Sequence, residues 1–283
     1  MAGKTIVITG ATSGIGLEMT KQLAMKGHKL IMACRNLDKA NQVKEKILKE
    51  YSEADIEILE IDMSSFASIS SFAQNFTAKY NQLDVLINNA GVFCDKLATT
   101  KDGFEMTMGV NYLGPIVLTR MLLPTITKTP NALIINITSK SAFYGKIKLN
   151  SNMFSSKTHG FKAYSASKLA QIHFTIDLAE ELKDTGVTVN AAYPGRVATN
   201  IWNGETFMMK LVAPIMNRRS ISAEQGAKTG VYLAISPEVA GITGKMFDQE
   251  QKVVEYPPIC LDKEIRKELM IISQNAIQTK VFK

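Results

Sequence analysis

The sequence predicts an α/β fold, a doubly wound parallel sheet with helices on both faces, formed by residues 1–283 as a single domain. Three observations predict it. Short β-branched runs alternate with amphipathic runs along the whole chain, which is the pattern of a parallel sheet. A glycine-rich turn follows the first β-branched run. In addition, 283 residues with 46% hydrophobic content can bury one large core.

The first predicted strand, at 5–9, ends in a turn with the layout of a phosphate-binding loop. Gly10, Gly14 and Gly16 are spaced G-x-x-x-G-x-G, and an amphipathic helix is predicted at 17–26. Gly10 allows the tight turn, Gly14 lets the backbone approach a pyrophosphate, and Gly16 lets the helix pack closely on the strand. Such turns also occur without a ligand, but the flanking strand and helix favour anion binding at the helix N-terminus.

The second predicted strand, at 28–35, ends where an acidic residue would take the ribose hydroxyl of NAD. Cys34 and Arg35 occupy this place. No carboxylate repels a 2′-phosphate here, and a guanidinium can bind one. We therefore predict NADP(H) rather than NAD(H) as the cofactor. The alternative is that Arg35 only caps the end of a strand.

The middle of the chain continues the alternation. Helices are predicted at 40–51, 66–80 and 103–126, and strands at 56–61, 85–88 and 132–137. Asp62, the run 88–91 and Ser139 follow the ends of these strands, where ligands of parallel sheets bind. The helix 103–126 contains Asn111 and should kink near Gly114. Because a buried asparagine in a helix often only bridges backbone groups, Asn111 says little by itself.

Tyr164 and Lys168 lie four residues apart on a helix predicted at 161–182. Side chains at i and i+4 share a face, with about 5–6 Å between their Cβ atoms. The ammonium of Lys168 should therefore lower the pKa of the Tyr164 hydroxyl, which is about 10 in the free residue. A phenol tuned in this way can exchange a proton near neutral pH. Alone the pair is a weak signal, but the surrounding motifs strengthen it.

The last third contains the remaining predicted elements. A polar linker at 140–160 is long enough to be functional or mobile, and a strand at 187–192 precedes Pro194 and Gly195. An apolar segment at 201–217 follows, either a lid over a hydrophobic substrate or simple packing. A helix at 224–235, a strand at 244–247 and a helix at 262–277 complete the pattern, the last within a C-terminal helical tail at about 250–283.

Composition and charge exclude several classes of protein. The net charge is +7 and the pI about 9.1, but Lys and Arg are interspersed with acidic residues rather than massed in a block. This favours anionic small molecules and speaks against nucleic acid. Cys34, Cys94 and Cys260 have no metal-ligand spacing and leave one cysteine over. We therefore expect no metal site, no disulfide framework and a reducing compartment.

We also expect no signal peptide and no membrane-spanning segment. The first strand pattern begins at Thr5, which leaves no room for a leader or an anchor before it. No run of the chain approaches the roughly 20 apolar residues that cross a bilayer. These observations predict a cytoplasmic protein, and they leave peripheral contact with membranes open.

These motifs together resemble the short-chain dehydrogenase/reductase superfamily over nearly the whole chain, which implies a Rossmann-type sheet. The resemblance rests on the glycine turn, Asp62, the run 88–91, Asn111, Ser139, Tyr164-x-x-x-Lys168 and Pro194-Gly195. The segments 33–36, 102–105 and 111–114 and the long gap between 139 and 164 resemble its retinol dehydrogenase branch. Members of that branch interconvert retinoids or related lipophilic alcohols and carbonyls with NADP(H). The resemblance also makes a homodimer or homotetramer an open expectation.

The resemblance implies roles for particular residues. Tyr164 would be the acid in reduction and the base in oxidation, and Lys168 would lower its pKa and hold the nicotinamide ribose. Ser139 would bind the substrate oxygen, with Thr138 and Ser141 as open alternatives, and Asn111 would hold a water molecule. The cofactor contacts implied are Gly10, Ser13, Gly14, Ile15, Gly16, Arg35, Asn36, Asp62, Met63, Asn89, Ala90, Gly91, Tyr164, Lys168, Pro194, Gly195, Val197 and Thr199.

The expected function is therefore an NADP(H)-dependent oxidoreductase that acts on a small hydrophobic alcohol, aldehyde or ketone. Many retinol dehydrogenases carry an apolar N-terminal anchor that has no counterpart in this sequence. A soluble carbonyl reductase of biosynthetic or xenobiotic metabolism is therefore one alternative. A second is a non-catalytic NADP(H)-sensing interaction module, although such a module has no need for a proton donor.

Overall fold

A computed structural model describes residues 3–150, 153–155, 157–197 and 220–281 of the chain. The described strands form one eight-stranded sheet in the order β3-β2-β1-β4-β5-β6-β7-β8. They are β1 (Thr5–Thr9), β2 (Lys29–Cys34), β3 (Ile56–Glu60), β4 (Val85–Asn88), β5 (Leu133–Ile137), β6 (Thr188–Ala192), β7 (Met246–Phe247) and β8 (Val253–Val254). Strands β1 to β7 pair in parallel, and β8 pairs with β7 antiparallel. The predicted doubly wound parallel sheet is confirmed.

The helices cover both faces of this sheet. They are α1 (Gly14–Ala24), α2 (Leu37–Glu50), α3 (Phe66–Lys79), α4 (Met106–Met108), α5 (Gly114–Ile126), α6 (Gly160–Glu181), α7 (Ala223–Ile235), α8 (Pro258–Leu261) and α9 (Lys263–Val281). In β1, Val7 packs into the hydrophobic core beneath α3, α5 and α6, while its neighbours Ile6 and Ile8 pack beneath α1, α2 and α7. This alternation follows from the two-residue period of a strand.

The sheet order places a crevice between β1 and β4. From β1 the chain moves outwards to β2 and β3, and then it crosses back to β4 and moves the other way. The loops after β1 and β4 therefore diverge at their carboxyl ends, which is where open α/β sheets bind ligands. The amide of Asn89 donates to the carbonyl oxygen of Thr9 at 2.8 Å and fixes the two loops relative to each other.

The predicted helix at 103–126 is wrong in its first part. Gly103 has a φ of +86°, which ends any helix there, and the Glu105 carboxylate caps α4 by accepting the amides of Thr107 and Met108. A π-helical turn, Gly109–Leu113, then joins α4 to α5. The irregularity precedes Gly114 rather than lying at Gly114-Pro115, because proline is tolerated in the first turn of a helix.

The carboxyl-terminal part contains elements that the sequence pattern did not predict. Strand β8 and helix α8 span only 2 and 4 residues, too few for a hydrophobic period to be recognised. Helix α9 packs against α6, where Arg266 donates to Glu180 at 3.0 Å, and the Ser273 hydroxyl lies 3.0 Å from that of Tyr112. These contacts fix α6 and the π-helical turn from the side opposite the sheet.

Candidate active site

A cavity of about 970 Å³ lies at the carboxyl ends of the central strands. Nearly all residues predicted for the site line it, namely Gly10, Ser13, Gly14, Ile15, Gly16, Arg35, Asn36, Asp62, Met63, Asn89, Ala90, Gly91, Ser139, Tyr164, Lys168, Pro194, Gly195 and Val197. Asn111 lies behind the wall, next to Gly91. Thr199 and the predicted lid at 201–217 lie outside the described residues.

The glycine turn at one end of the cavity is shaped for close approach. Gly10 and Gly14 have φ values of +68° and +54°, which side-chain-bearing residues rarely adopt. A Cβ atom on Gly16 would lie 2.3 Å from the carbonyl oxygen of Gly10, so only glycine fits. The first turn of α1 carries no acidic residue, and its amides can bind an anion with help from the helix dipole. This end fits a pyrophosphate.

The end of β2 borders the same cavity. Arg35 and Asn36 follow the strand, and the Asn36 side chain caps α2 by accepting the amide of Lys39 at 2.8 Å. Lys39 lines the cavity together with Arg35, so two cations face this region. Asp62, which follows the neighbouring strand β3, lines the same cavity. Burial alone would raise the pKa of Asp62, but hydrogen bonds from Ser64 and Lys101 hold it below its usual value. Asp62 is therefore a charged acceptor at neutral pH.

Tyr164 is buried at the opposite end of the cavity. Its side chain is 5% exposed and hydrogen-bonds that of Ser139, whose backbone follows β5. Ser139 also accepts the amide of Ser141 at 3.2 Å, which orients its hydroxyl. The Thr138 hydroxyl is used elsewhere, because it donates to the carbonyl oxygen of Lys168 at 3.2 Å. Of the three candidates, Ser139 is the one whose side chain interacts with Tyr164, while Ser141 also lines the cavity.

Lys168 lies beneath Tyr164 on the same face of α6. Its Nζ atom is 5.8 Å from the centroid of the Tyr164 ring and donates to the carbonyl oxygen of Ile137 at 2.9 Å. It also donates to Oε1 of Gln171 at 3.0 Å. Because an ammonium has no lone pair, the Gln171 side chain must present its oxygen here. Gln171 lies one turn further along α6, and no motif in the sequence indicated it.

Burial dominates the acid–base behaviour of this pair. It raises the pKa of Tyr164 to about 12, against the lowering effect of the Ser139 hydrogen bond. It also lowers the pKa of Lys168 to about 7, because removal from water disfavours both charged forms. The predicted lowering of the Tyr164 pKa by Lys168 is not found in the protein alone. The ammonium is bonded to Ile137 and Gln171, and near pH 7 it is only partly protonated.

Asn111 sits in the π-helical turn and is fully buried. Its carboxamide accepts the amide of Val92 at 2.8 Å and donates to the carbonyl oxygen of the same residue at 2.9 Å. A Cβ atom on Gly91 would lie 3.4 Å from the Asn111 oxygen and 3.7 Å from Lys168 Nζ. The two side chains therefore approach each other beside Gly91, while Asn111 also bridges backbone groups.

An aromatic wall that the motifs did not reveal borders the site. The ring of Phe93 meets that of Tyr164 edge-on, with 5.9 Å between centroids. Phe161 and Tyr144 line the same cavity and are 51% and 70% exposed. One signal was available, since Phe161 lies three residues before Tyr164 and must share its face of the helix. Tyr144 and Phe93 are brought to the cavity only by the tertiary fold.

Comparisons with known proteins agree with this geometry. The family model described as short chain dehydrogenase matches residues 4–210. Retinol dehydrogenase 14 from Mus musculus is 37% identical over 97% of this chain and 86% of its own length. Retinol dehydrogenase 13 from Homo sapiens is 35% identical over 94% and 82%. The crystal structure of YwfH, an NADPH-dependent reductase involved in bacilysin biosynthesis, superposes with a TM-score of 0.69 at 25% identity, covering 87% of this chain and 96% of that one.

The described helices include none that is both long and apolar enough to cross a membrane. The family match covers most of the chain, and the retinol dehydrogenases align over nearly all of it. The protein therefore belongs to the short-chain dehydrogenase/reductase family of oxidoreductases, as a retinol dehydrogenase-like member.

Proposed function

We propose that the protein is an NADP(H)-dependent oxidoreductase that interconverts a hydrophobic alcohol and its aldehyde or ketone. The observation that carries the proposal is the buried Tyr164 hydroxyl, which hydrogen-bonds Ser139 at the wall of a large cavity and stands above Lys168. A buried phenol with a polar partner in a cavity is suited to deliver a proton to a substrate oxygen. A sensing module would gain nothing from this arrangement.

The choice of NADP(H) rests on charge at the end of β2. Arg35 and Lys39 both line the cavity there, and a guanidinium binds a phosphate through two parallel hydrogen bonds. The described end of β2 carries Cys34 and Arg35 and no carboxylate that would repel a 2′-phosphate. The NADPH dependence stated for YwfH is consistent with the same choice.

Different residues of the site would have different roles in the reaction. The cofactor would supply or accept the hydride, with Gly10, Gly14 and Gly16 holding its pyrophosphate and Arg35 its 2′-phosphate. In reduction Tyr164 donates its proton to the substrate oxygen, and in oxidation it removes that proton. The Ser139 hydroxyl donates to the same oxygen and stabilises its developing charge. In its protonated form, Lys168 would hold the nicotinamide ribose of the bound cofactor beneath the phenol.

The cavity wall beyond Tyr164 fits an apolar substrate. Val92, Phe93, Met106 and Val110 line it, and Phe161 and Tyr144 stand at its edge. Such a surface binds through burial of apolar area rather than through many polar contacts. The relatives named as retinol dehydrogenases make retinal the first compound to test.

The first test follows the loss of NADPH absorbance by the purified protein. Retinal and a panel of smaller aldehydes and ketones are offered in parallel with NADPH and NADH. We expect turnover of hydrophobic carbonyls with NADPH at much lower cofactor concentration than with NADH. If smaller carbonyls are reduced and retinal is not, the proposed reaction is supported and the protein is a carbonyl reductase. Tight NADPH binding with no reduction of any carbonyl would contradict the proposed activity and favour the sensing module.

Gln171 supplies a further prediction about Lys168. Replacing Gln171 with glutamate should raise the pKa of Lys168, because a carboxylate 3.0 Å from the ammonium stabilises its charged form. Replacing it with methionine removes the acceptor and should lower that pKa further. If catalysis requires the protonated lysine, activity is lost as the pH rises through its pKa. The high-pH limb of kcat should then move up by about one unit in Gln171→Glu and down in Gln171→Met.

The control for this prediction is Gln74→Glu, which adds the same charge at an exposed position on α3. Thermal unfolding of all three variants checks that the fold is retained. A high-pH limb that stays in place in both Gln171 variants would remove Gln171 from any role in positioning Lys168.

A further inference from the structure

The positive charge of this protein is concentrated in one part of the chain. Residues 106–176 contain eight of the 33 Lys and Arg residues and none of the 26 Asp and Glu residues. The rest of the chain, with 25 basic and 26 acidic residues, is almost neutral. The expectation that basic residues are interspersed with acidic ones is therefore wrong for this segment.

Most of them lie around the start of α6, beside the cavity. Lys140, Lys146, Lys148, Lys157 and Lys162 are exposed, and we call these five the mouth lysines. Lys140 lines the cavity, and Lys162 lies in the first turn of α6. Ile147 packs against the core between Lys146 and Lys148, so these two point outwards together.

The segment that carries these lysines is fixed against α6. Residues Lys140–Tyr144 form a 3-10 helix, and a Cβ atom on the next residue, Gly145, would lie 2.5 Å from the carbonyl oxygen of Ser165. On the other side, the amide of Gly160 donates to the carbonyl oxygen of Cys94 at 2.7 Å. The amino-terminal end of α6 adds the positive end of its helix dipole to the same region.

Two aromatic side chains stand among these charges. Tyr144 is 70% exposed and Phe161 is 51% exposed, and both line the edge of the cavity. Exposed aromatic rings beside lysines are the combination by which proteins bind the interface of an anionic bilayer, where the rings enter the headgroup layer and the ammonium groups meet phosphates. A solvated surface alone would explain the lysines but gives no reason for exposed rings at the cavity edge.

We propose that this surface, the mouth lysines with Tyr144 and Phe161, docks the protein onto an anionic lipid membrane with the cavity facing the bilayer. A lipophilic substrate could then pass between the bilayer and the cavity without crossing water. This inference rests on the proposed function for its benefit, but the surface itself is defined by charge and exposure. It requires no membrane-spanning segment.

The test measures binding of the purified protein to vesicles by co-sedimentation. Vesicles of phosphatidylcholine in which about a third of the lipid is phosphatidylserine are compared with vesicles of pure phosphatidylcholine, each at low and at high salt. The mouth variant carries four charge reversals that leave the cavity wall unchanged. They are Lys146→Glu, Lys148→Glu, Lys157→Glu and Lys162→Glu. The matched control reverses four exposed lysines outside the segment, Lys46→Glu, Lys49→Glu, Lys183→Glu and Lys228→Glu, so both proteins have the same net charge.

We expect the parent to bind anionic vesicles in a salt-sensitive way and pure phosphatidylcholine far less. Each interfacial lysine contributes about fivefold to partitioning, so reversing four of them should weaken binding by about 600-fold or more. The control should lose much less. No binding of the parent to anionic vesicles, or equal losses in the two variants, would overturn the proposal. So would a change in oligomeric mass confined to the mouth variant, which would assign the surface to a second copy of the chain.

A second measurement separates this inference from the proposed function. Vesicle binding does not require turnover, so the docking proposal can be tested even if no substrate is found. Where turnover is observed, the mouth variant should lose activity on a lipophilic carbonyl presented in anionic vesicles and keep its activity on a water-soluble one. Equal activity on the vesicle-bound substrate would overturn the benefit claimed for docking.

Discussion

Replacing Tyr164 with phenylalanine is expected to lower kcat by at least about 100-fold while NADPH still binds. The substitution removes one hydroxyl from a buried ring and leaves its edge-on contact with Phe93 in place. Without that hydroxyl, Ser139 cannot deliver the proton in its place, because the pKa of a serine hydroxyl is far above neutral. Loss of general acid–base catalysis should lower kcat by about 10²- to 10⁴-fold.

Two measurements make this prediction specific. The dissociation constant of NADPH, measured by fluorescence, should change by no more than about threefold, because Gly10, Gly14, Gly16 and Arg35 are unaltered. Tyr144→Phe is the matched control, because it removes a hydroxyl from an exposed tyrosine that lines the same cavity, and its kcat should stay close to the parent value. A Tyr164→Phe protein with normal turnover would refute the proposed mechanism.

Changing Arg35 to aspartate is expected to reverse the cofactor preference. The guanidinium at the end of β2 is replaced by a carboxylate that repels a 2′-phosphate but can accept hydrogen bonds from a ribose hydroxyl. Loss of a charge-assisted hydrogen bond and the added repulsion should raise the KM for NADPH by about 100-fold. The KM for NADH should change little or fall.

Two related variants identify the cause of that effect. Arg35→Gln removes the attraction without adding repulsion, so its loss of NADPH affinity should be smaller than that of Arg35→Asp. Lys39→Gln should act in the same direction, because Lys39 lines the same end of the cavity. If Arg35→Asp weakened the binding of NADPH and NADH equally, Arg35 would have no part in recognising the 2′-phosphate, and its role at the strand end would be structural.

The sequence by itself determined the sheet, the glycine turn and the Tyr164–Lys168 pair. Each of these depends on short-range geometry. The two-residue period of strands and the 3.6-residue period of helices appear directly in the spacing of apolar residues, and a separation of four residues puts Tyr164 and Lys168 on one helix face. Strand β1 was predicted with the bounds that the structure shows, because a β-branched run ends abruptly at Gly10.

Only the tertiary structure decided the electrostatics of the site. Whether Lys168 lowers the pKa of Tyr164 depends on burial and on the partners of its ammonium, Ile137 and Gln171, and Ile137 lies on a different element. The partners of the Thr138 and Ser139 hydroxyls, Lys168 and Tyr164, likewise lie on a different element. Contacts between residues distant in sequence, and the loss of water around them, leave no periodic trace in the chain. For that reason the sequence indicated the chemistry, and packing determined how each group can carry it out.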